Sequence, residues 1–507
     1  MPVEQSARVK TKEAPTPIGP TAAPKPMLAP ALQPAKPAVI DGRNLPSTKN
    51  SAALRKFKKF WKLGDREFNT QYFDITTEGD LVAIEGNYQY NVRELVEKYG
   101  SPLEVYFPFI LEDRLQDLQD LFRFSTKFSG YRGKFVYHYP MKVNQNREFI
   151  LPIVGEGANL ETASANELWL VKRLWEQGKF NTNIRVICNG PKTDEYLNLI
   201  NELRQNNLSI VPIVEEVSEF ERLKDFKGEL GVRLDLNVKV NSHWDKKIDR
   251  FGLTPAELLR RGKIRNLKLL HYHLGSQIEH LDDIILPVKE IMSVYSKLRP
   301  LHPGLDTLDI GGGLPIPYDR KRRYSIDGLV RRIIRYLQKT SDHAHVPHPN
   351  IIAEWGRYIV APAQMTIYRI LSQKVIPKGN AKRWYNIDGS FMNDLLDTWA
   401  LRQRWHVVPV SNATAHKLTR TWLAGLSCDS DDKYSAHGQY VLLPRLEHLP
   451  TERPLYVAFL DTGAYQDALA SHHCLLSSPA KIMAQHGEIT IIRKRETAAD
   501  VGKMFGW

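Results

Sequence analysis

Little in this 507-residue chain belongs to the secreted or membrane classes. Its three cysteines, Cys188, Cys428 and Cys474, are too few for a disulfide scaffold, so a reducing cytosol is the expected compartment. No apolar run nears the roughly 18 residues that cross a bilayer. The opening "MPVEQSARVK" leads into no apolar signal core. Excess charge is also scarce where the chain is set to fold. Of the formal net charge of +13, residues 1–65 hold +8, from 12 Lys and Arg against 4 Asp and Glu. The +5 left over is a weak basis for tracking phosphates, so neither nucleic acid nor a membrane is expected as a partner. An acidic partner would meet the tail first.

What is present divides the chain by texture. Residues 1–50 carry ten of the 31 prolines, with Ala, Lys and Thr between them, and such a segment cannot repay its ordering entropy. The stretch 1–65 is therefore expected to be a disordered tail. Within it, "LRKFKKFWKLG" (54–64) has the pattern of a short basic amphipathic helix, better suited to docking on the main body than to a membrane. From about residue 130, apolar runs such as "GKFVYHYP", "IRVICNG", "LKLLHYHLG" and "NIIAEWG" alternate with stretches of helical period such as "SANELWLVKRLWEQG". Continuous apolar runs suit strands buried on both faces. Seven or eight such units predict an α/β fold, a (β/α)8 TIM barrel, over 106–374. After about 375, "YVLLPRL", "LYVAFLDTG" and "ITIIRK" read as strands with few long helices, and "FDITTEGDLVAIEGNYQY" (73–90) as a hairpin of the same layer. A β-rich domain built from 66–105 and 375–507 is expected around the barrel.

In such barrels functional groups collect where strands end. Lys142 follows "FVYHYPM", Arg233 lies in "GVRLDL", and His273 to Ser276 follow "LKLLHY". Gly311 to Gly313 follow "LDI", and Glu354 to Arg357 follow "IIA". Each alone has an ordinary structural explanation: a strand-end lysine, a core histidine, a tight glycine turn, a surface ion pair. Their shared placement is what points to chemistry. A lysine amine, a flat imidazole, glycine amides, an arginine and a lone carboxylate together suit an aromatic aldehyde that bears a phosphate. Pyridoxal phosphate is the cofactor expected.

With these residues in place, the chain resembles the barrel-type, alanine-racemase-fold pyridoxal phosphate decarboxylases, most of all the biosynthetic arginine decarboxylases. "YPMKVNQN", "LETASANEL", "LHYHLGSQI", "LDIGGGLPIPYD", "CDSDDKY" and "GAYQDAL" are similar to that family's motifs, in order, over about 70–500. The resemblance implies that Lys142 is the Schiff-base lysine, that Arg233 sits by the ring's phenolic oxygen and that His273 stacks on the ring. It implies that Ser276, Gly312, Gly313, Arg357 and Tyr465 bind the phosphate, and Glu354 the ring nitrogen. Cys428 is then the proton donor over the reacting carbon. Asp429, with Asp388 or Asp431, meets the cationic end of the substrate. The cysteine motif of this family reaches the partner subunit, so a homodimer with shared active sites is implied, as is a Mg2+ requirement in some members.

L-Arginine, decarboxylated to agmatine for polyamine and spermidine synthesis, is the first expectation for the substrate, an amino acid with a basic end. Two departures keep ornithine, lysine and diaminopimelate behind it. Only about 70 residues separate Arg357 from Cys428, which leaves little room for the helical insertion of the arginine enzymes. "YNIDGSFMNDLLDTW" (385–399) is similar to the ornithine and diaminopimelate enzymes, with an acid at Asp388. "SHHCLLSSP" also departs from the family's asparagine–phenylalanine–glycine ending. A barrel that holds the cofactor without turnover, as a regulator, is the expectation from another class.

Overall fold

Eight strands whose residues are almost all buried close on one another as a parallel barrel, in a computed structural model that describes residues 40–41, 52–236, 238–240, 250–435, 438 and 440–507. In chain order the strands outside and before the barrel are β1 (Ile40–Asp41), β2 (Phe73–Ile75), β3 (Leu81–Glu85), β4 (Tyr88–Asn91) and β5 (Leu103–Tyr106). The barrel strands are β6 (Phe135–Pro140), β7 (Asn159–Thr162), β8 (Arg185–Cys188), β9 (Ser209–Val214), β10 (Leu230–Arg233), β11 (Leu267–His271), β12 (Thr307–Asp309) and β13 (Asn350–Ala353). The ring closes where β13 pairs with β6. Ile187, Val211, Ile213, Leu269 and Ile352 form a buried apolar cluster contributed by β8, β9, β11 and β13. Branched side chains of this kind fill a barrel interior and leave no pore.

Four of the crossover helices begin on a side chain that the sequence supplies at the βα turn. Ser164, Thr193 and Ser325 each accept a hydrogen bond from a first-turn amide, and Thr254 makes a reciprocal capping box with Glu257. Helix Pro108–Ser129 packs on the barrel through Phe122, stacked on Phe135 at 3.6 Å.

The remaining strands are β14 (Gln364–Val375), β15 (Arg383–Ile387), β16 (His406–Pro409), β17 (Leu418–Ala424), β18 (Lys433–Tyr434), β19 (Val441–Pro444), β20 (Tyr456–Leu460), β21 (Ala480–Gln485) and β22 (Glu488–Arg493). Together with β5 they form a ten-stranded sheet, in which β5 lies between β14 and β21. A buried ion network rivets this junction. Lys481 on β21 reaches Glu104 at 3.1 Å and also pairs with Asp467, while Arg493 reaches Glu104 at 2.6 Å and Asp467 at 3.2 Å.

Three boundaries differ from the sequence reading. The hairpin at 73–90 is not part of the large sheet: β2, β3 and β4, with β1, form a sheet of their own, and only β5 from 66–105 enters the larger one. The β domain begins at Gln364 and not at 375, because "MTIYRIL" runs straight on from the last barrel turn as one long strand. Residues 52–65 are ordered: helix Ala52–Trp61 buries Leu54 and Trp61, and the Trp61 indole donates to the Ala413 carbonyl at 2.8 Å. Its apolar stripe found a partner on the main body, as the docking alternative required. The rest of the tail expected to be disordered, 1–39 and 42–51, lies outside the described residues. Among the described residues no helix is long and apolar enough to cross a membrane.

Candidate active site

Lys142 stands in a single helical turn, Met141–Val143, directly after β6. Its amine donates to the buried Glu161 carboxylate, at the end of β7, at 2.9 Å. Burial alone would lower the amine's pKa, but the Glu161 and Glu354 carboxylates outweigh it and hold the pKa above the ordinary lysine value. The turn is tied to the β domain as well. Asn144 donates to Asp467 at 3.1 Å and to the Gly463 carbonyl at 2.9 Å, and the Tyr465 amide donates to the Val143 carbonyl at 2.7 Å. The lysine turn and the tyrosine loop, more than 300 residues apart, are thus one structural piece.

Glu354 follows β13 and is buried. One of its oxygens accepts from Asn189 at 2.9 Å, and the other has no hydrogen-bond partner. Burial and the charge of Asp309 raise its pKa to about 8. Asp309, at the end of β12, is raised to about 7, chiefly by burial. One of its oxygens takes the Gly311 amide at 2.9 Å, and the other lies 3.3 Å from His271 Nδ1. Arg233, the last residue of β10, donates to Glu215 at 3.1 Å and lies over Phe251 at 4.7 Å.

Arg357 is buried and held by four neighbours. It donates to Ser276 Oγ at 3.2 Å and to the Tyr318 hydroxyl at 2.7 Å, lies 3.5 Å from Asp397, and sits 4.6 Å from the Tyr465 ring. His273 Nδ1 accepts from the Gly312 amide at 3.1 Å, so the histidine loop and the glycine loop touch. A Cβ on Gly312 would come 2.8 Å from His273 Cε1. One on Gly313, at φ 122°, would come 2.7 Å from Ile278. Glycine is required here by space and by backbone.

This set fits pyridoxal phosphate on the chain's own evidence. The lysine sits at the mouth, with its side chain 35% exposed and open to an aldehyde. The partnerless, buried oxygen of Glu354 calls for a hydrogen-bond donor, which a protonated ring nitrogen provides. The side-chain-free glycine loop beside Arg357 leaves room for a phosphate. Mg2+ fits poorly: His271, Asp309 and Glu354 are a donor group within 4.8 Å, but all three are buried, and Mg2+ keeps several waters.

The structure brings together Lys142, Arg233, His273, Ser276, Gly312, Gly313, Glu354, Arg357 and Tyr465 around the barrel mouth. The contacts described for Cys428, Asp429, Asp431 and Asp388 are with residues outside this set. Cys428 is exposed and lies 3.5 Å from Cys474. Asp429 lies 3.8 Å from His473, and Asp431 pairs with Lys433 at 2.8 Å. Asp388 accepts from Ser101 at 3.2 Å and from the Arg369 amide at 2.9 Å. Sequence reasoning passed over Glu161, Asn189, Glu215, His271, Asp309 and Tyr318. Glu161, His271 and Asp309 end or nearly end barrel strands, which was the available signal.

Comparison with known proteins agrees with this geometry. Residues 118–361 match the family described as pyridoxal-dependent decarboxylase, pyridoxal binding domain. The biosynthetic arginine decarboxylase of Alkalilimnicola ehrlichii is 30% identical over 390 residues, 68% of this chain and 60% of that protein. That of Rhodopirellula baltica is 29% identical over 355 residues, 63% of this chain and 52% of that protein. The matches thus span between about half and three fifths of these relatives' lengths. The crystal structure of the biosynthetic arginine decarboxylase SpeA from Campylobacter jejuni superposes with a TM-score of 0.75 at 20% identity, covering 87% of this chain and 90% of that one, and shares the fold. With its barrel, its lysine turn and its glycine loop accounted for, residues 118–361 match the pyridoxal binding domain of the pyridoxal-dependent decarboxylases.

Proposed function

We propose that the protein removes the carboxylate of a basic amino acid as CO2, with L-arginine as the first substrate and agmatine as the product, a step in polyamine synthesis. One observation carries the reading: a lysine clamped by Glu161 shares the barrel mouth with a buried carboxyl, Glu354, that has one oxygen to spare. Pyridoxal phosphate, when bound, supplies the electron sink for the pair left behind at Cα. Lys142 provides the amine that anchors it. Arg357, fixed by Ser276 and Tyr318, would bind its phosphate with Tyr465 and the Gly312–Gly313 loop, whose Gly312 amide is taken by His273. Glu354 would hold a proton at the ring nitrogen and His273 would support the ring, while Arg233 keeps its place through Glu215.

Cys428 returns a proton to Cα, and Asp429, with Asp388 or Asp431, pairs the distal cation, which would be costly to bury alone. In this reading two copies of the chain form a homodimer in the cytoplasm, and Cys428 and Asp429 of one copy serve the barrel of the other. The exposure of Cys428 supports that arrangement. The short spacing between Arg357 and Cys428 favours the smaller substrates as a second reading. A CO2-release assay over arginine, ornithine, lysine and diaminopimelate, with added pyridoxal phosphate, tests it. The highest kcat/KM is expected for arginine. A higher value for another amino acid reassigns the substrate, and no release from any, with cofactor bound, leaves a non-catalytic binder.

A further inference from the structure

Two of the three thiols face each other. Cys428 Sγ and Cys474 Sγ lie 3.5 Å apart, both exposed, while Cys188 is fully buried, 3.6 Å from the Thr162 hydroxyl. Both loops are pinned. On one side the buried Asp432 carboxylate accepts from the Ser427 amide at 3.1 Å and the Phe391 amide at 2.8 Å. On the other, Asn393 donates to the His473 carbonyl at 3.0 Å and accepts from the His473 amide at 3.1 Å. Cys474 and Leu475 both have positive φ, 57° and 55°, a backbone that residues with side chains adopt at a cost. Cysteines that only fill space are buried. Here a tense turn, set from behind by Asn393, presents one accessible thiol to another.

We infer that Cys428 and Cys474 close into a reversible intramolecular disulfide by exchange with low-molecular-weight disulfides of the glutathione class. The thiolate of one cysteine attacks a sulfur of the small disulfide, whose S–S bond breaks, so that a mixed disulfide forms and one small thiolate leaves. The second cysteine gives its proton to solvent and attacks the protein sulfur of the mixed disulfide, and the second small thiolate leaves. The protein pair loses two electrons, and the small disulfide gains them to become two thiols. Resting on the reading of Cys428 as proton donor, the disulfide withdraws that donor and couples decarboxylation to thiol redox state.

The test uses the reduced, cofactor-loaded protein with oxidised glutathione. Digestion without reductant and mass spectrometry should find a peptide linked between Cys428 and Cys474, with no glutathione retained. CO2 release should fall about 100-fold, as loss of a general acid does, and return with dithiothreitol. Cys474→Ser should match the wild type in reducing buffer and, once oxidised, retain glutathione on Cys428. Wild-type protein that keeps glutathione, or stays reduced, with no linked peptide overturns the inference. A linked peptide with undiminished CO2 release overturns the coupling to activity. If the reduced protein decarboxylates nothing, the proposed function fails, and the peptide map still decides the disulfide.

Discussion

At the barrel mouth Lys142, Glu354 and Arg357 are each held by side chains from other strands or loops, whereas Cys428 and Asp431 stand exposed and Asp429 half-buried, with partners from nearby β-domain loops. The first group contains charges that burial would penalise unless they were paired, so a single chain must complete that half of the site in order to fold. The second group is paired at the surface of the β domain and asks less of the fold. On the function proposed above, cofactor binding and substrate handling are therefore built to different conditions, one fixed within the chain and the other left for a second copy.

Three experiments would break or sharpen this contrast. The largest effect is expected from Lys142→Ala, which removes the anchoring amine: decarboxylation should fall at least about 1,000-fold, and the visible absorbance of the bound cofactor should vanish. A surviving band would dissolve the barrel half of the comparison. Next, Lys142→Ala and Cys428→Ala, each nearly inactive, should on mixing and subunit exchange recover about a quarter of wild-type CO2 release, because half of the random dimers regain one intact site of two. No recovery would place Cys428 in the same chain's site.

The smallest effect concerns pH and the cofactor-free protein. Glu354 and Asp309 are raised to about 8 and about 7 from ordinary values of 4.5 and 3.8, and Asp394 and Asp461 are also raised to about 7, in each case mainly by burial. Between the ordinary and raised values the folded chain keeps protons that the unfolded chain has released. Stability should thus be greatest near pH 4–5 on this account and decline as pH rises toward 8. A thermal melt series should show Tm falling by a few degrees over that interval, and Glu354→Gln should flatten the slope without abolishing it. An unchanged slope in that variant would mean that Glu354 is not the buried, proton-holding group described here.

Much of the barrel half was legible in advance. A cation or carboxyl at the end of an apolar run is conspicuous against period-2 and period-3.6 patterning, and Lys142, Arg233, Glu354 and Arg357 were found that way. Glu161 and Asp309 were not, because an acid inside a motif says nothing of which strand it will face across the barrel. The helix at Ala52–Trp61 was legible as an amphipath, but its partner Ala413 lies in the distant β domain. The hairpin at 73–90 was legible as strands, but not which sheet it would join, since pairing partners are chosen by packing and not by local pattern.

Local periodicity by itself determined the alternation of strands and helices and the strand-end placement of the reactive side chains. Tertiary structure alone decided which carboxylate clamps Lys142, how Asn144 and Asp467 lock that turn to the tyrosine loop, and that Cys428 meets Cys474. The reason is that periodicity is a property of neighbours along the chain, whereas a buried charge and its partner are matched through space, across whatever length of chain the fold brings together.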